Sequence, residues 1–309
     1  MSETPDTAAL ARAEAIAAMA RDPKIADAVR TIFTGVLARY DARGLFSRVV
    51  SDRSRFLLSY MAFYLDAGYE EGDPDSGLTA SSYMALCAST GLCRREAAFA
   101  MLWLMRISGY LVPASATRRR GPRRLVPSER FLAMHRSRWE VVFTALAQLR
   151  PEGAAGLALV EDPRFFRPFI RGACDRFFTR ERLLSHAPAL VWFAGRRAGF
   201  NILMALAMSA QPGDDMPPRG PIEVSVDDLA RRFGISRRQV RDTLTMAVDA
   251  GLLLRAKSGA YSMADPLRTS IINFIGAMLL VAGESAAEAE AQLRSGDRPS
   301  RHAPADHAA

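Results

Sequence analysis

Residues 229–254 read LARRFGISRRQVRDTLTMAVDAGLLL, and the order of residue types in this stretch decides the fold. Just upstream, Ser225 has Asp228 three residues later, the spacing of a capping box. A helix is therefore expected to open there with Val226, Leu229 and Phe233 inward. Gly234 suits a tight turn, because a residue without a Cβ enters the left-handed region at little cost. Ser236-Arg237-Arg238-Gln239 repeats the capping pattern and starts a second helix at Arg237. Along it Val240, Leu244, Ala247 and Val248 recur at helical spacing and form a core face, while Arg237, Arg238, Arg241 and Thr245 fall on the other side. LLLRAKSGAYSM (252–263) then reads as a hairpin turning at Lys257-Ser258-Gly259, with Arg255 and Lys257 placed beside the turn.

The same order occurs earlier, in LCASTGLCRREAAFAMLWLMRISGYL (86–111). Leu229 minus Leu86, Gly234 minus Gly91 and Arg237 minus Arg94 each give 143, and Gly251 minus Gly109 gives 142. The likeness extends outward: Asp22-Pro23-Lys24 is echoed by Asp162-Pro163-Arg164, and LVPSERFLAMHRSRW after the first hairpin by YSMADPLRTSIINF after the second. A long fixed period of this kind indicates duplication of the whole chain. Helix, turn, second helix and basic hairpin make a winged helix-turn-helix, a unit that places one helix in the major groove of DNA and a hairpin beside it.

The expected architecture is mainly α: tandem winged helix-turn-helix domains with two short β-hairpin wings and linking helices, related by a pseudo-twofold. Its expected parts are a flexible N-terminus (1–21), copy one (22–150), a linker (151–161), copy two (162–285) and a disordered tail (286–309). A length of 309 residues, 49% of them hydrophobic, supplies two cores. An uninterrupted apolar run of membrane-spanning length is missing, and the first twenty residues lack the basic start of a secretory signal. A cytoplasmic protein with no membrane partner is expected. Cys87, Cys93 and Cys174 form no paired framework and read as reduced, buried thiols.

The net charge is +8, and the excess is arginine rather than lysine, the side chain suited to bidentate contact with phosphate or guanine. In copy one Arg94 and Arg95 open the second helix, but Ala98, Phe99, Leu102 and Trp103 follow where copy two, counted at a spacing of 143, has Arg241, Asp242, Thr245 and Met246. An all-round apolar helix is ordinarily buried, so the C-terminal part of this one is expected to pack against protein. Its hairpin, ATRRRGPRRLV, carries Arg118, Arg119, Arg120, Arg123 and Arg124 around a Gly-Pro tip, a charge density that fits a narrow minor groove. Together with Ser236, Arg237, Arg238, Arg241, Thr245, Arg255 and Lys257, these are the candidate DNA contacts.

The order helix, STG turn, helix, GYLV, basic wing, LVPSERF and long helix resembles the winged-helix bacterial transcriptional regulators, the MarR-type in particular. The resemblance covers about fifty residues per copy. It implies double-stranded DNA as partner, a pseudo-dimeric monomer or a homodimer, and a small-molecule effector between the linking helices and the reading heads. The chain departs from that family by carrying two copies. Phe165, Phe169, Phe177 and Trp192 are the candidate ligand residues, although aromatic clusters at helical spacing more often fill a core. A plasmid-type replication initiator shares this layout, and a winged-helix protein adaptor without DNA binding is favoured by the apolar helix of copy one. Catalysis finds no support: His135, His186, His302 and His307 lack metal spacing and read as surface or interface residues, and no phosphate loop, dinucleotide fingerprint or nucleophile elbow is present. No cofactor, no metal and no enzymatic activity are expected.

Overall fold

The structure, a computed structural model, describes residues 7–40, 53–73, 76–91, 93–114, 124–180, 183–209 and 215–296. It is mainly helical. In chain order come α1 (Thr7–Ala20), α2 (Ile25–Ala38), α3 (Arg53–Ala67), α4 (Ala80–Ser89), α5 (Arg95–Ile107), the hairpin of β1 (Leu111–Pro113) and β2 (Leu125–Pro127), α6 (Glu129–Leu146) and α7 (Pro151–Leu159). Then follow α8 (Pro163–Asp175), a π turn (Arg176–Arg180), a 3-10 turn (Leu183–His186), α9 (Pro188–Ala194), α10 (Gly199–Ala207), α11 (Val226–Phe233), α12 (Arg237–Asp249), the hairpin of β3 (Leu253–Arg255) and β4 (Tyr261–Met263), and α13 (Asp265–Ser295).

The core is organised on α13. Pro266 opens it where no amide donor is missed, and Gly296 closes it at φ 67°. Leu267, Ile271, Ile275, Leu279, Ala282, Ala286 and Ala289 run along its buried side at intervals of three and four. Against this stripe lie α1, α2, α6, α7, α8 and α9. By length and hydropathy the helix is capable of crossing a membrane, but 61% of its most apolar window is buried inside the fold.

Two packings repeat between the halves. Helix α2 lies on α6 as α8 lies on α13, and the halves also exchange contacts: α8 packs on α3, and α10 packs on α2. The first exchange is closed by Asp66 of α3, buried and accepting from Arg167 of α8 at 2.9 Å. Phe165 and Phe169 of α8 are fully buried against Phe143 of α6, and Trp139 meets Phe169 edge-on at 4.7 Å. One continuous apolar cluster therefore draws on both halves.

Three expectations change. The N-terminal stretch, as far as it is described, is the helix α1. Ile16 and Met19 bury it, and Arg12 pairs with Glu284 of α13. The supposed linker is α7, held tightly on α6: a Cβ on Gly156 would meet the Phe143 ring at 2.4 Å. Helix α13 does not stop near residue 285 but runs to Ser295, with Ala286 and Ala289 buried. Between α9 and α10 the chain breaks at Gly195–Ala198, where Ala198 turns left-handed at φ 57°.

His135 is also relocated. It is no surface residue: it is fully buried on α6, its ring 4.7, 4.3 and 4.9 Å from those of Tyr60, Phe63 and Phe131. Neither ring nitrogen has a hydrogen-bond partner. Burial, with Arg138 adding to it, holds its pKa well below the ordinary histidine value. His186 is half-buried in the 3-10 turn, and His302 and His307 lie outside the described residues.

Candidate nucleic-acid interface

The stretch from α11 to β4 is built by local chemistry. Ser225 caps α11 by accepting from the Asp228 amide at 3.2 Å, and Gly234 ends that helix at φ 62°. Ser236 caps α12 by accepting from the Gln239 amide at 3.1 Å. Val240, Leu244 and Ala247 are fully buried. Gly251, at φ 69°, ends α12 and turns the chain into β3; the Leu252 amide reaches back to the Ala247 carbonyl at 2.9 Å. Beyond the β3–β4 pair, the Tyr261 amide donates to the Ile222 carbonyl at 2.9 Å, an isolated antiparallel bridge that ties the segment ahead of α11 to β4.

The corresponding positions of the first half repeat these features. Thr79 caps α4 with a full capping box, Gly91 stands at φ 62°, and Gly109 at φ 69°. The Tyr110 amide reaches the Met105 carbonyl at 2.9 Å, and the Leu125 amide the Leu78 carbonyl at 2.8 Å. The helix caps also fix the register. Arg94 and Ser236 precede α5 and α12, and Ser108 and Ala250 follow them. Both differences are 142, so the one-residue slip falls in the turn before the helix. Phe99 therefore matches Arg241 and Trp103 matches Thr245, whereas Ala98 and Leu102 match the core residues Val240 and Leu244.

That register corrects the expectation of a buried α5. Ala98, Met101, Leu102 and Met105 are buried, but Phe99, Trp103 and Ile107 are 62%, 55% and 57% exposed. An open groove of about 730 Å³ runs beside Phe99, lined by Met84, Ala85 and Ala88 of α4 and by Arg95 and Glu96. Helix α5 thus turns an apolar face outward where α12 turns a polar one.

On α12, Arg237, Arg238, Arg241 and Thr245 are all exposed. At 3.6 residues per turn they span about 100° of the helix surface. Two of the arginines meet acidic neighbours: Arg237 Nε lies 2.8 Å from Asp227, and Arg238 Nε 3.6 Å from Asp242. Exposed pairs of this kind are worth about 0–1 kcal/mol, so a phosphate or a base edge displaces the carboxylate at small cost. The Ser236 oxygen is engaged by the cap, which leaves its O–H free to donate. Arg255 and Lys257 are exposed on the hairpin, and the Arg255 guanidinium stands 5.7 Å from the Tyr261 ring centre.

In the first half, Arg94 and Arg95 are exposed at the start of α5. Arg124 lies across the Tyr69 ring at 3.6 Å, while Arg118, Arg119, Arg120 and Arg123 are outside the described residues. Three further arginines, which the sequence pattern does not single out, are exposed on elements that adjoin α12. Arg231 and Arg232 are exposed on α11, Arg231 pairing with Asp228. Arg197 is exposed between α9 and α10, and its carbonyl accepts from Gln239 Nε2 at 3.4 Å. The helical spacing of Arg231 and Arg232 was readable; the approach of Arg197 to α12 is a tertiary contact with no local signature. Across 225–263 seven basic side chains face four acidic ones, a net of +3.

The candidate ligand residues do not assemble as a group. Phe177 stacks on Trp139 with 8° between ring planes, in the same close-packed cluster as Phe165 and Phe169. Trp192 lies apart, against Phe193 and beneath the Arg196 guanidinium at 3.4 Å. Burial pushes the Cys87 thiol up to about 12 and raises Cys93 as well, so neither is primed as a thiolate. Among the described residues no three His, Cys, Asp or Glu side chains gather where they would share a metal ion. Compared with protein-family models, curated proteins and solved structures, the chain gives no match.

Proposed function

We infer that the protein is a cytoplasmic, sequence-specific double-stranded DNA-binding transcriptional regulator. In this reading it is built from two winged helix-turn-helix units descended from a duplication, similar to the MarR type, and it carries no enzymatic activity. One observation carries it: Arg237, Arg238, Arg241 and Thr245 share an exposed sector of α12, opposite the buried Val240, Leu244 and Ala247, on a helix that begins at a Gly-turn and a Ser cap. A helix so presented fits the major groove with its N-terminal residues toward base edges. The matching caps of α4 and α11, the positive-φ glycines, and the backbone hydrogen bonds Leu125–Leu78 and Tyr261–Ile222 support descent from one unit.

The reading assigns base contact to Arg241 and its neighbours and phosphate contact to the wing residues Arg255 and Lys257, with the arginine-rich loop of the first half as a second phosphate-binding element. The test begins with selection of the duplexes that the protein retains from fragmented genomic DNA. Against the best of these, Arg241→Ala is expected to lose about 1–3 kcal/mol while random duplex is bound as before. The double change Arg255→Ala with Lys257→Ala weakens both duplexes alike and lowers the slope of log K against log salt by about 2. Equal losses on selected and random DNA for both variants refute the division of labour. Failure to retain duplex at low salt refutes the function.

A further inference from the structure

We propose that the outward face of α5 is a dimerisation surface for a second copy of this chain, the two α5 helices lying antiparallel across a twofold axis at the level of Met101. The inference goes beyond the DNA reading and does not depend on it. Its starting point is that Phe99, Trp103 and Ile107, each more than half exposed, succeed one another at intervals of four on one side of α5. Arg95, Glu96 and Arg106 are exposed within the same sector of about 120°. Neither Glu96 nor Arg106 forms an ion pair among the described residues, although a carboxylate at one end of the stripe and a guanidinium at the other would each gain from a partner.

The pattern is self-complementary in one arrangement. With the twofold at Met101, every residue faces the one whose number completes 202. Phe99 then meets Trp103 of the second copy, Glu96 meets Arg106, and the aliphatic stem of Arg95 covers Ile107; each contact occurs twice, as an isologous interface requires. The parallel arrangement would set Glu96 against Glu96 and Arg106 against Arg106. The groove of about 730 Å³ between α4 and α5 is bordered by Phe99, so the incoming Trp103 ring reaches an apolar slot lined by Met84, Ala85 and Ala88. DNA is a poor occupant for such a face: it offers bases and phosphates, whereas the stripe presents three large apolar side chains.

Size sets the strength. Three such side chains remove on the order of 100 Å² each from water. Together with the α4 flank the area stays below the roughly 800 Å² per partner of a standard interface, which places the dissociation constant in the micromolar range.

Sedimentation velocity of the full chain without DNA, from about 1 to 100 μM, reads the result directly. The parent chain is expected to pass from monomer to dimer across that range, while Trp103→Glu, and independently Phe99→Asp, remain monomeric with unchanged thermal unfolding. Glu96→Arg and Arg106→Glu each replace two attractions by two repulsions and weaken association about tenfold or more, and the double variant returns to within a few-fold of the parent. A parent chain that stays monomeric throughout overturns the proposal. So does a dimer indifferent to Trp103→Glu and Phe99→Asp, or a double charge reversal that associates no better than the single ones. Since no DNA is present, failure of the DNA reading would leave these outcomes unchanged.

Discussion

Replacing His135 by Leu is expected to remove one component of the protein's acid sensitivity, and its size follows from the ring's surroundings. The imidazole is fully buried among Tyr60, Phe63 and Phe131 with neither nitrogen hydrogen-bonded. Burial first, and Arg138 second, hold its pKa well below the ordinary 6.5. In the unfolded chain the ring titrates near 6.5, so between that pH and the folded-state value the unfolded state carries more protons. Stability is therefore complete above about pH 6.5 and lost as the pH falls, at up to about 1.4 kcal/mol per pH unit. By about pH 5 that amounts to roughly 2 kcal/mol from this residue alone. His135→Leu has no such slope, and it removes two buried, unpaired polar atoms whose desolvation costs about 1–3 kcal/mol each. Urea unfolding of both proteins at several pH values gives the difference, in which every other titrating group cancels. The variant should match or exceed the parent at pH above about 7 and gain a further 2 kcal/mol or so by about pH 5. A difference that is the same at both ends would mean that His135 is not held neutral by its surroundings.

Three further outcomes are expected. Gly156→Ala forces a methyl group against the Phe143 ring, at 2.4 Å before any adjustment, and should cost about 1–3 kcal/mol in denaturant unfolding; a neutral result would show that α7 shifts freely on α6. Asp227→Asn frees Arg237 from its exposed pair and removes a negative charge beside the proposed DNA face, so duplex binding should tighten a few-fold at low salt and converge with the parent at high salt. Separating the chain at Leu149 should leave neither half folded alone, because Phe165, Phe166, Phe169 and Ile170 of α8 contribute about 1.5–3 kcal/mol each through burial, a sum comparable to a whole domain's stability. Co-expressed halves should recover the parent circular dichroism, and two independently melting fragments would refute the shared core.

The parts of the fold that were legible in the sequence are those that local chemistry determines. Ser225, Gly234, Ser236 and Gly251 act within four residues of their partners, and they place α11, α12 and the β3–β4 hairpin where the pattern predicts them. What was missed depends on distant neighbours. Helices α1 and α7 and the end of α13 look small and polar in isolation, but Met19 and Ala286 are buried by elements far along the chain, and Gly156 by the Phe143 ring of the neighbouring α6. His135 reads as a surface histidine until Tyr60 and Phe63 close over it. The misreading of α5 has a different origin. Counted from the turn glycine, Ala98 and Leu102 fall opposite the exposed Arg241 and Thr245, so the outer face reads as apolar throughout and therefore as buried. Counted from the helix caps, one residue and about 100° away, they fall on the core positions of Val240 and Leu244, and the outward apolar residues are Phe99, Trp103 and Ile107.

The exchange of helices between halves bears on what the two outward helices are able to do. Helix α12 adjoins α11, which is carried by α10, and α10 packs on α2 of the first half; α5 adjoins α4, carried by α3, and α3 packs on α8 of the second. Each outward helix is thus mounted on an element held by the opposite half, and both mounts meet in one apolar cluster organised on α13. Two units joined by a flexible linker would pay the entropy of mutual orientation at each binding event. Here that orientation is set during folding, so a change on the outward face of one helix leaves the placement of the other intact. Such a frame is compatible with either kind of outward face: Ala98 and Leu102 of α5 fill the same core positions as Val240 and Leu244 of α12, whether the exposed side carries Phe99, Trp103 and Ile107 or a row of arginines.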